Sequence, residues 1–323
     1  MCIRDSIEID KNSDLVIGAD IGGTNIRVAL IDSNGNLLEK KKIENDPSSE
    51  IEIAGEKISQ LCHEIAKGIP IKGIAFSSAG PINQITGEYL NPPNLSNWNK
   101  KSLIPTIKKF TGITSKVGHD ATLAALAETK FGKKKGTKNL IYITVSTGVG
   151  AGIISNGNMI QGENWFAGEV GHIIINPGGP GCSLGCLGCL EGNISGTAIA
   201  SIAQSMITDG HKTDILNNNK IEDINSKLVI DYSQKNDVFS KLIVTQVLEN
   251  LGRGLASILA TLNPEVIILG GSVAEALSKL YWEKIIYETS KYCIPFYQSN
   301  PPIQMTSLGE DASLLGASII ARN

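Results

Sequence analysis

One short segment concentrates residues that bind metals. Between residues 168 and 192 the chain carries His172 and three of its six cysteines, Cys182, Cys186 and Cys189. Thiolate sulfur and imidazole nitrogen are the ligands that zinc takes in structural sites. Because a chain of this length does not need disulfides to stabilise its core, reduced thiols or a metal site fit these cysteines better than disulfides do.

Glycine-rich turns at the ends of buried strands are suited to phosphate binding. They occur in "GADIGGTN", "STGVGAG" and "LGGS". Backbone amides without side chains can approach phosphate oxygens closely, and Asp20 can hold magnesium directly or through water. A single tight turn also needs glycine for its backbone alone, and none of the three is a Walker loop or a dinucleotide fingerprint. The candidate nucleotide contacts are Asp20, Gly22, Gly23, Thr24, Asn25, Thr147, Gly148, Gly270 and Gly271.

The elements that would position these residues alternate along the chain. Residues 15–32 read as two strands around a glycine turn, and a third strand, a helix and a buried strand follow. Residues 139–160 repeat the opening pattern, which predicts an internal duplication. A long helix is expected near residues 237–262, and a last helix over 311–321 is expected to pack on the first lobe. We predict an α/β fold of two lobes, each a mixed sheet led by a β-hairpin and flanked by helices.

Length and charge narrow the classes of function. The chain of 323 residues has room for two domains, and its 29 basic residues nearly balance its 32 acidic ones. Only residues 132–138 form a short lysine-rich stretch, so we expect no nucleic-acid partner. No apolar run reaches the roughly 18 residues of a membrane span. The first 13 residues lack the apolar core of a secretory signal and fit no fold element, which predicts a cytoplasmic protein.

Taken together in this order, the motifs resemble the ROK sugar kinases, of the actin-like, hexokinase-like (ribonuclease H-like) ATPase fold. The resemblance runs from Leu15 to the C-terminal "LGEDASLLGAS". It implies a small lobe of residues 14–119 plus 310–323 and a large lobe of residues 120–309. The motifs that carry it are "DIGGTNIRVAL", "AGPIN" with "PNLSNW", "HDATLAALAE", "STGVGAG", the histidine and cysteine segment, and "NPEVIILGG".

The resemblance implies that Asp120 is the catalytic base. A carboxylate at a helix N-terminus is kept ionised by the helix dipole and can accept the proton of an attacking hydroxyl, although the same position also suits a plain N-cap. In the family an asparagine that contacts the sugar precedes this aspartate, whereas this chain has His119. If His119 faces the sugar, His119→Asn is expected to change the preference among hexoses.

Four further residues are implied to contact the sugar. A carbohydrate offers many hydroxyls and no charge, so its pocket needs carboxylates and amides that accept or donate in pairs. Each of these residues could also be an ordinary surface polar residue. Together with His119 and Asp120, the candidate sugar contacts are Asn94, Glu169, His172 and Glu191.

The cysteine pattern departs from that of the family, which has a histidine followed by C-x-C-G-x-x-G-C-x-E. Aligned on its glycines, this chain keeps Cys182 and Cys189 but has Leu184 at the second cysteine, and Cys186 follows two places later. Three interpretations fit: a zinc site of His172 and all three cysteines, a weaker site without Cys186, and thiols that only pack as small apolar groups. A metal here would be structural, setting the positions of His172 and Glu191.

The function implied is phosphorylation of a hexose by ATP and magnesium, with glucose as the first choice and N-acetylmannosamine or fructose as alternatives. Such a kinase serves carbohydrate metabolism and glycolysis, and a homo-oligomer, dimer or tetramer, is expected. The same family contains sugar-sensing repressors. These carry a helix-turn-helix module before the first hairpin, and about fourteen residues precede it here. A sugar-binding protein without catalysis is a third hypothesis, against which Asp120 and both phosphate turns speak.

Overall fold

The structure is a computed structural model that describes residues 14–92 and 95–323. The chain forms two compact units, each of which contains more than one stretch of sequence. The first unit comprises the described residues up to Phe131 together with Gly162–Trp165 and Asp311–Asn323, and the second comprises Gly132–Gln161 and Phe166–Glu310.

The first unit is built on a five-stranded mixed sheet in the order β3-β2-β1-β4-β5. β1, β2 and β3 pair antiparallel, while β4 and β5 continue the sheet in parallel. The central strands are apolar runs that are buried on both faces, and the outer strand β3 carries two glutamates and three consecutive lysines. The elements are β1 (Val16–Ile21), β2 (Asn25–Ile31), β3 (Leu37–Glu44), α1 (Ile51–Ala66), β4 (Gly73–Ser78), α2 (Ile104–Thr111), β5 (Lys116–His119) and α3 (Asp120–Phe131).

The second unit contains another five-stranded mixed sheet, in the order β10-β9-β6-β7-β8. Its long helix α7 begins after Asp237, whose carboxylate accepts hydrogen bonds from the Ser240 amide and hydroxyl. The elements are β6 (Leu140–Val145), β7 (Val149–Ser155), β8 (Asn158–Ile160), α4 (Leu190–Ile194), α5 (Gly196–Thr208), α6 (Ser226–Ser233), α7 (Val238–Leu262), β9 (Val266–Gly270), α8 (Ser272–Tyr292), α9 (Pro295–Gln298) and β10 (Ile303–Met305).

The two sheets have the same topology. In each, a hairpin leads into a third antiparallel strand, and the first strand of the hairpin pairs in parallel with the fourth strand, which in turn pairs with the fifth. The prediction of two mixed sheets, each led by a β-hairpin and flanked by helices, is confirmed. The equivalence also agrees with the internal duplication that the sequence pattern indicates.

The C-terminal helix α10 (Ala312–Arg322) packs on β1, β4 and α3 within the first unit. The approach to α3 is close, because a Cβ added to Gly316 would lie 1.9 Å from the carbonyl oxygen of Leu123. This contact keeps α3 in the first unit, which extends to Phe131, whereas the sequence-based division falls at residue 119.

Two sequence-based expectations concern the lysine-rich stretch and the ability of a helix to cross a membrane. The lysines of the 132–138 stretch are exposed, as expected for a solvated turn. Among the described residues, every helix is too short or too polar to cross a bilayer.

Candidate active site and metal centre

The first hairpin carries a charged pair at its turn. Asp20 on β1 and Arg27 on β2 are opposite each other in the antiparallel ladder, and the Arg27 Nη2 lies 2.7 Å from the Asp20 Oδ2. The other oxygen of Asp20 accepts hydrogen bonds of 2.9 Å from the hydroxyls of Ser77 on β4 and Ser313 on α10. Since the Arg27 Nε also donates to Oδ2, both oxygens of Asp20 accept two hydrogen bonds each.

The charged group extends along the same edge of the sheet. The Nη1 of Arg27 lies 3.8 Å from the carboxylate of Asp311, which precedes α10, and the Lys40 ammonium on β3 lies 2.8 Å from that carboxylate. The turn between β1 and β2 is closed by a hydrogen bond from the Gly22 amide to the Asn25 carbonyl. The turn of this hairpin therefore stands next to fixed positive and negative charges.

Asp120 is the first residue of α3 and directly follows β5. Its Oδ1 accepts a 2.6 Å hydrogen bond from the Ala121 amide and lies 3.4 Å from the Nδ1 of His119. Desolvation raises the pKa of the Asp120 carboxyl above its ordinary value, and the negative charge of Asp20 raises it further. The imidazole of His119 and the hydrogen bond from the Ala121 amide both lower it. Because 37% of the side-chain surface is exposed, solvent limits the shift. The residue is a partly exposed carboxylate with increased basicity.

The second hairpin has a turn without charged side chains. Its Ser146 amide donates to the Gly148 carbonyl, and the carbonyl of Thr147 accepts from the amide and hydroxyl of Thr197 at the start of α5. A cavity of about 380 Å³ opens beside this turn and is lined by small and polar residues. They are Ser146, Thr147, Gly196, Thr197, Ala200, Ser201, Asn225, Ser226, Ser272 and Val273.

Two predicted nucleotide contacts at the end of β9 have backbone reasons for being glycine. Gly270 pairs with Thr144 in the sheet, and a Cβ there would lie 2.1 Å from the Tyr142 hydroxyl. Gly271 has a φ of +90° and precedes the first turn of α8. Position 270 requires glycine because of the close approach, and position 271 favours glycine because of its positive φ.

Glu191 on α4 reaches the second hairpin. Its Oε2 accepts a 2.8 Å hydrogen bond from the Val149 amide. A Cβ on Gly148 would lie 2.7 Å from the same oxygen. A predicted sugar contact and a predicted nucleotide contact are thereby in direct contact, and glycine at position 148 is what leaves room for the carboxylate.

The cysteine loop, which we define as residues 180–189, closes on His172. The ligand atoms of His172, Cys182, Cys186 and Cys189 all lie within 4.8 Å of one another. The His172 Nδ1 is 3.2 Å from the Cys186 sulfur, and the sulfurs of Cys182 and Cys186 are 3.0 Å apart. The predicted cluster of four side chains is present, with Cys186 inside it and Leu184 62% exposed.

The donor set fits zinc. Tetrahedral zinc with bonds of about 2.3 Å to sulfur and about 2.0 Å to nitrogen places its ligand atoms roughly 3.5 to 3.8 Å apart. Desolvation raises the pKa of Cys182, but hydrogen bonds from Cys186 and from the loop backbone lower it to about 7. The same hydrogen bond raises the pKa of Cys186 to about 12, so the pair shares its protons unequally, and the Cys182 thiol is the one more readily available as a thiolate ligand. All described cysteines are free, so no disulfide competes for them.

The second nitrogen of His172 faces Glu169. The distance from Nε2 to the Glu169 Oε2 is 3.6 Å, and both residues border the short 3₁₀ turn at Val170–His172. Glu169 and His172, two of the predicted sugar contacts, therefore lie next to each other. Asn94, the remaining predicted contact, lies outside the described residues.

Several positioning residues are absent from the sequence-based prediction. Arg27 was readable, because the short hairpin turn places it opposite Asp20 in the ladder. Asn193 on α4 was not: it is 3% exposed, donates to the carbonyls of Pro180 and Cys189 at the two ends of the cysteine loop, and accepts from two other asparagines. Those partners come from the loop before it and from α7, which no local pattern reveals; they are Asn176 and Asn250.

Two equivalent sheets that each begin with a glycine hairpin, with a carboxylate at the start of a helix, define an actin-like α/β fold. The chain belongs to the ROK family, whose model matches residues 16–323. It is 31% identical to the glucokinase of Halalkalibacterium halodurans over 93% of this chain and 92% of that protein. The ROK hexokinase structure from Thermus thermophilus has a TM-score of 0.81 at 29% identity, covering 95% of this chain and 97% of that one.

Other relatives differ in what they do. The structure of a ROK glucokinase from Streptomyces griseus in complex with glucose and AMPPNP has a TM-score of 0.78 at 26% identity, covering 95% of this chain and 99% of that one. The N-acetylmannosamine kinase of Escherichia coli is 28% identical over 95% of this chain and 98% of its own length. The xylose repressor of Caldicellulosiruptor bescii is also 28% identical, and the match spans 96% of this chain and 78% of that protein. Family membership therefore fixes the fold without fixing the sugar.

Proposed function

We propose that this protein phosphorylates a hexose at the expense of ATP and that glucose is its first substrate. The observation that carries the proposal is Asp120, a partly exposed carboxylate at the start of α3 whose basicity is raised by desolvation. The glucokinases among its relatives support a sugar kinase, and the Streptomyces griseus complex with glucose supports glucose before other hexoses.

Asp120 would act as the general base. It accepts the proton of the primary 6-hydroxyl, and the freed oxygen attacks the γ-phosphorus of ATP as the bond to the leaving ADP oxygen breaks. Removal of the proton is needed as the oxygen becomes bonded to phosphorus, so a carboxylate with increased basicity suits the role. Glu169, His172 and Glu191 would bind sugar hydroxyls.

Magnesium and the glycine turns would serve the phosphates. Magnesium, when bound with ATP, neutralises charge on the transferring phosphoryl group. Because each oxygen of Asp20 already accepts two hydrogen bonds, the arrangement favours contact between Asp20 and the ion through water. The backbone of the Gly22–Asn25 and Ser146–Gly148 turns would bind phosphate oxygens, and the cavity beside Thr147 is of a size and polarity suited to the nucleoside.

Zinc would be held by His172, Cys182, Cys186 and Cys189. Its contribution would be structural, because four protein ligands leave no open position for a substrate. Such a site would fix the cysteine loop and with it the orientation of the His172 ring, whose Nε2 faces Glu169. The close approach of all four ligand atoms supports the interpretation that includes Cys186 over the site that lacks it.

A coupled assay for ADP release tests the proposal. The purified protein is incubated with ATP and magnesium and with glucose, N-acetylmannosamine, fructose, mannose, galactose or xylose in turn. Glucose-dependent ADP release with the highest kcat/KM supports the proposal as stated. A higher kcat/KM for another sugar would keep the kinase and change its substrate. Sugar binding by calorimetry without ADP release from any member of the panel would instead support a sugar-sensing regulator, as the xylose repressor relative suggests.

A further inference from the structure

Two neighbouring side chains at the junction of β5 and α3 face each other. His119 ends the strand and Asp120 begins the helix, and the His119 Nδ1 lies 3.4 Å from the Asp120 Oδ1. The side chain of His119 is 19% exposed and that of Asp120 is 37% exposed. An imidazole at this distance either donates a weak hydrogen bond or, when protonated, forms an ion pair with the carboxylate.

The ring of His119 is held in this orientation by the sheet. The β4–β5 register pairs His119 with Ser78, whose hydroxyl contacts the hydroxyl of the buried Tyr89. The ring itself lies against Gly80, where an added Cβ would be 2.7 Å from the His119 Cδ2 and 3.3 Å from its Nε2. Backbone on one side of the ring thus limits its movement away from Asp120.

Among the described residues, His119 lies directly beside Asp120 and can place a positive charge there. β1 contributes Asp20, whose negative charge disfavours ionisation of Asp120. Two cations of the same sheet form ion pairs with other carboxylates, Arg27 with Asp20 and Lys40 with Asp311 before α10. The residues of β4 that pair with β1 and β5 near this point are serines, which carry no charge.

We propose that His119 is a positioning residue that keeps the catalytic carboxylate of Asp120 ionised in mildly acidic solution and so extends phosphorylation to lower pH. The inference rests on the proposed role of Asp120 as general base. An imidazolium carries a positive charge in acidic solution, which is also where a carboxylate begins to bind protons. A charge at the distance seen between His119 and Asp120 would therefore oppose protonation of the carboxylate.

The sign of the effect follows from the charges. An imidazolium beside Asp120 favours the carboxylate over the carboxylic acid, so it lowers the pKa of Asp120. Replacing His119 by a neutral residue should raise the pKa of Asp120, and the acid limb of the kcat/KM profile should move to higher pH. The effect of losing a charge should be smallest at the alkaline end of the profile, where an imidazole carries none.

The experiment compares pH profiles of kcat/KM for glucose between pH 5 and 9. We expect His119→Gln to shift the acid limb upward by roughly 0.5 to 1 pH unit, at the lower end of the effect of a nearby opposite charge because both groups are partly exposed. Below the limb this is a loss of about threefold to tenfold relative to the parent, against a smaller change at pH 8. His119→Lys, which keeps a cation at all these pH values, should restore the limb. Circular dichroism at each pH shows whether the variants stay folded.

A histidine elsewhere supplies the matched control. His211 is exposed in the second unit and contacts the backbone of Met206, so His211→Gln should leave the profile unchanged. An unshifted acid limb in His119→Gln, or the same loss at every pH, would overturn the inference; a uniform loss that differs among hexoses would assign His119 to sugar recognition. If Asp120→Asn retained full turnover, the general-base proposal itself would fail. Loss of turnover in Asp120→Asn with an unshifted limb in His119→Gln would remove only the role of His119.

Discussion

The two hairpins share a backbone plan and differ in the side chains at equivalent positions. In the first unit, the residue before the last of β1 is Asp20, paired with Arg27 across the hairpin and with Ser77 on the parallel neighbour. The result is a partly buried ion pair with two serine hydroxyls on the other oxygen.

In the second unit the equivalent residue of β6 is Thr144. It pairs with Gly150 across the hairpin and with Gly270 on the parallel neighbour, so no charge is present at any of the three positions. The nearest carboxylate comes from another element: Glu191 on α4 binds the Val149 amide at the beginning of β7.

The comparison shows that two glycine hairpins in the same strand order can be suited to binding different chemical groups. One copy of the sheet holds fixed charges, which suit phosphate and magnesium, and the other offers hydroxyls and a cavity, which suit a nucleoside. The same turn can therefore serve two chemistries, according to which side chains the neighbouring elements contribute. This comparison predicts that substitutions of equivalent residues should have unequal effects in the two units.

The largest effect is expected at the start of α3 in the first unit. Asp120→Asn should lower kcat by about a hundredfold or more, because the amide cannot accept the proton of the sugar hydroxyl. Glucose binding should stay within a few fold, since the amide keeps the shape of the carboxylate. Steady-state kinetics and calorimetric glucose binding measure the two quantities.

Asp237 in the second unit is the matched control, because it is a helix N-cap without a proposed catalytic role. Asp237→Asn should cost about 1 kcal/mol in the free energy of unfolding, because an amide nitrogen replaces one of two oxygens that both accept hydrogen bonds, and it should leave kcat unchanged. If Asp120→Asn behaved in the same way as Asp237→Asn, Asp120 would be an N-cap and nothing more.

The second effect tests the hairpins directly. Asp20→Asn should lower kcat/KM for ATP by about tenfold to a hundredfold, because the phosphate turn loses a fixed charge and Arg27 loses one of its carboxylate partners. Thr144→Val, at the equivalent position in the second unit, should change the same quantity by no more than about threefold. Kinetics at varied ATP and magnesium provide the measurement, and equal losses in the two variants would contradict the division of chemistry between the hairpins.

The sequence predicts most of the sheet framework because long apolar strands and glycine turns are local signals. Helices α5, α6 and α8 and the strand β10 have no counterpart in the sequence analysis. β10 has only three residues, and α8 carries polar and charged residues around much of its surface and buries few side chains, so its apolar period is weak.

The candidate site can be predicted from the sequence less completely than the sheet framework. The cysteine cluster was readable from ligand types and spacing, whereas the choice among its three interpretations depended on how the loop folds. The contact of Glu191 with the second hairpin and the hub formed by Asn193 join elements far apart in sequence. Such tertiary contacts have no signature in a single sequence, so residue types alone could not place them.

A third effect is expected at the cysteine loop, which has no counterpart among the described residues of the first unit. Elemental analysis of protein purified without chelator should show about one zinc per chain, and Cys186→Ser should weaken zinc binding by about tenfold or more because a serine hydroxyl is a poor zinc ligand. Cys62→Ser, which replaces a buried cysteine in the first unit, should leave the zinc content unchanged. Full zinc content in Cys186→Ser would favour the site that lacks Cys186, and absence of metal from the parent would support thiols that only pack.

The smallest effect is expected from alanine substitutions of one glycine in each hairpin turn, Gly148 and Gly22. Alanine at position 148 would place a Cβ 2.7 Å from the Glu191 Oε2, so the flexible carboxylate, rather than the backbone, should move. Alanine at position 22 would meet its nearest neighbour, the Asn25 carbonyl oxygen, at 3.4 Å, an ordinary contact. If Glu191 binds a sugar hydroxyl, its displacement should raise KM for glucose by about threefold to tenfold, the equivalent of one hydrogen bond of about 1 kcal/mol. Gly148→Ala should therefore raise KM for glucose while the melting temperature stays nearly constant, and Gly22→Ala should leave KM for glucose within about twofold. Equal KM values for glucose in the two variants would mean that the contact of Glu191 with the second hairpin does not affect sugar binding.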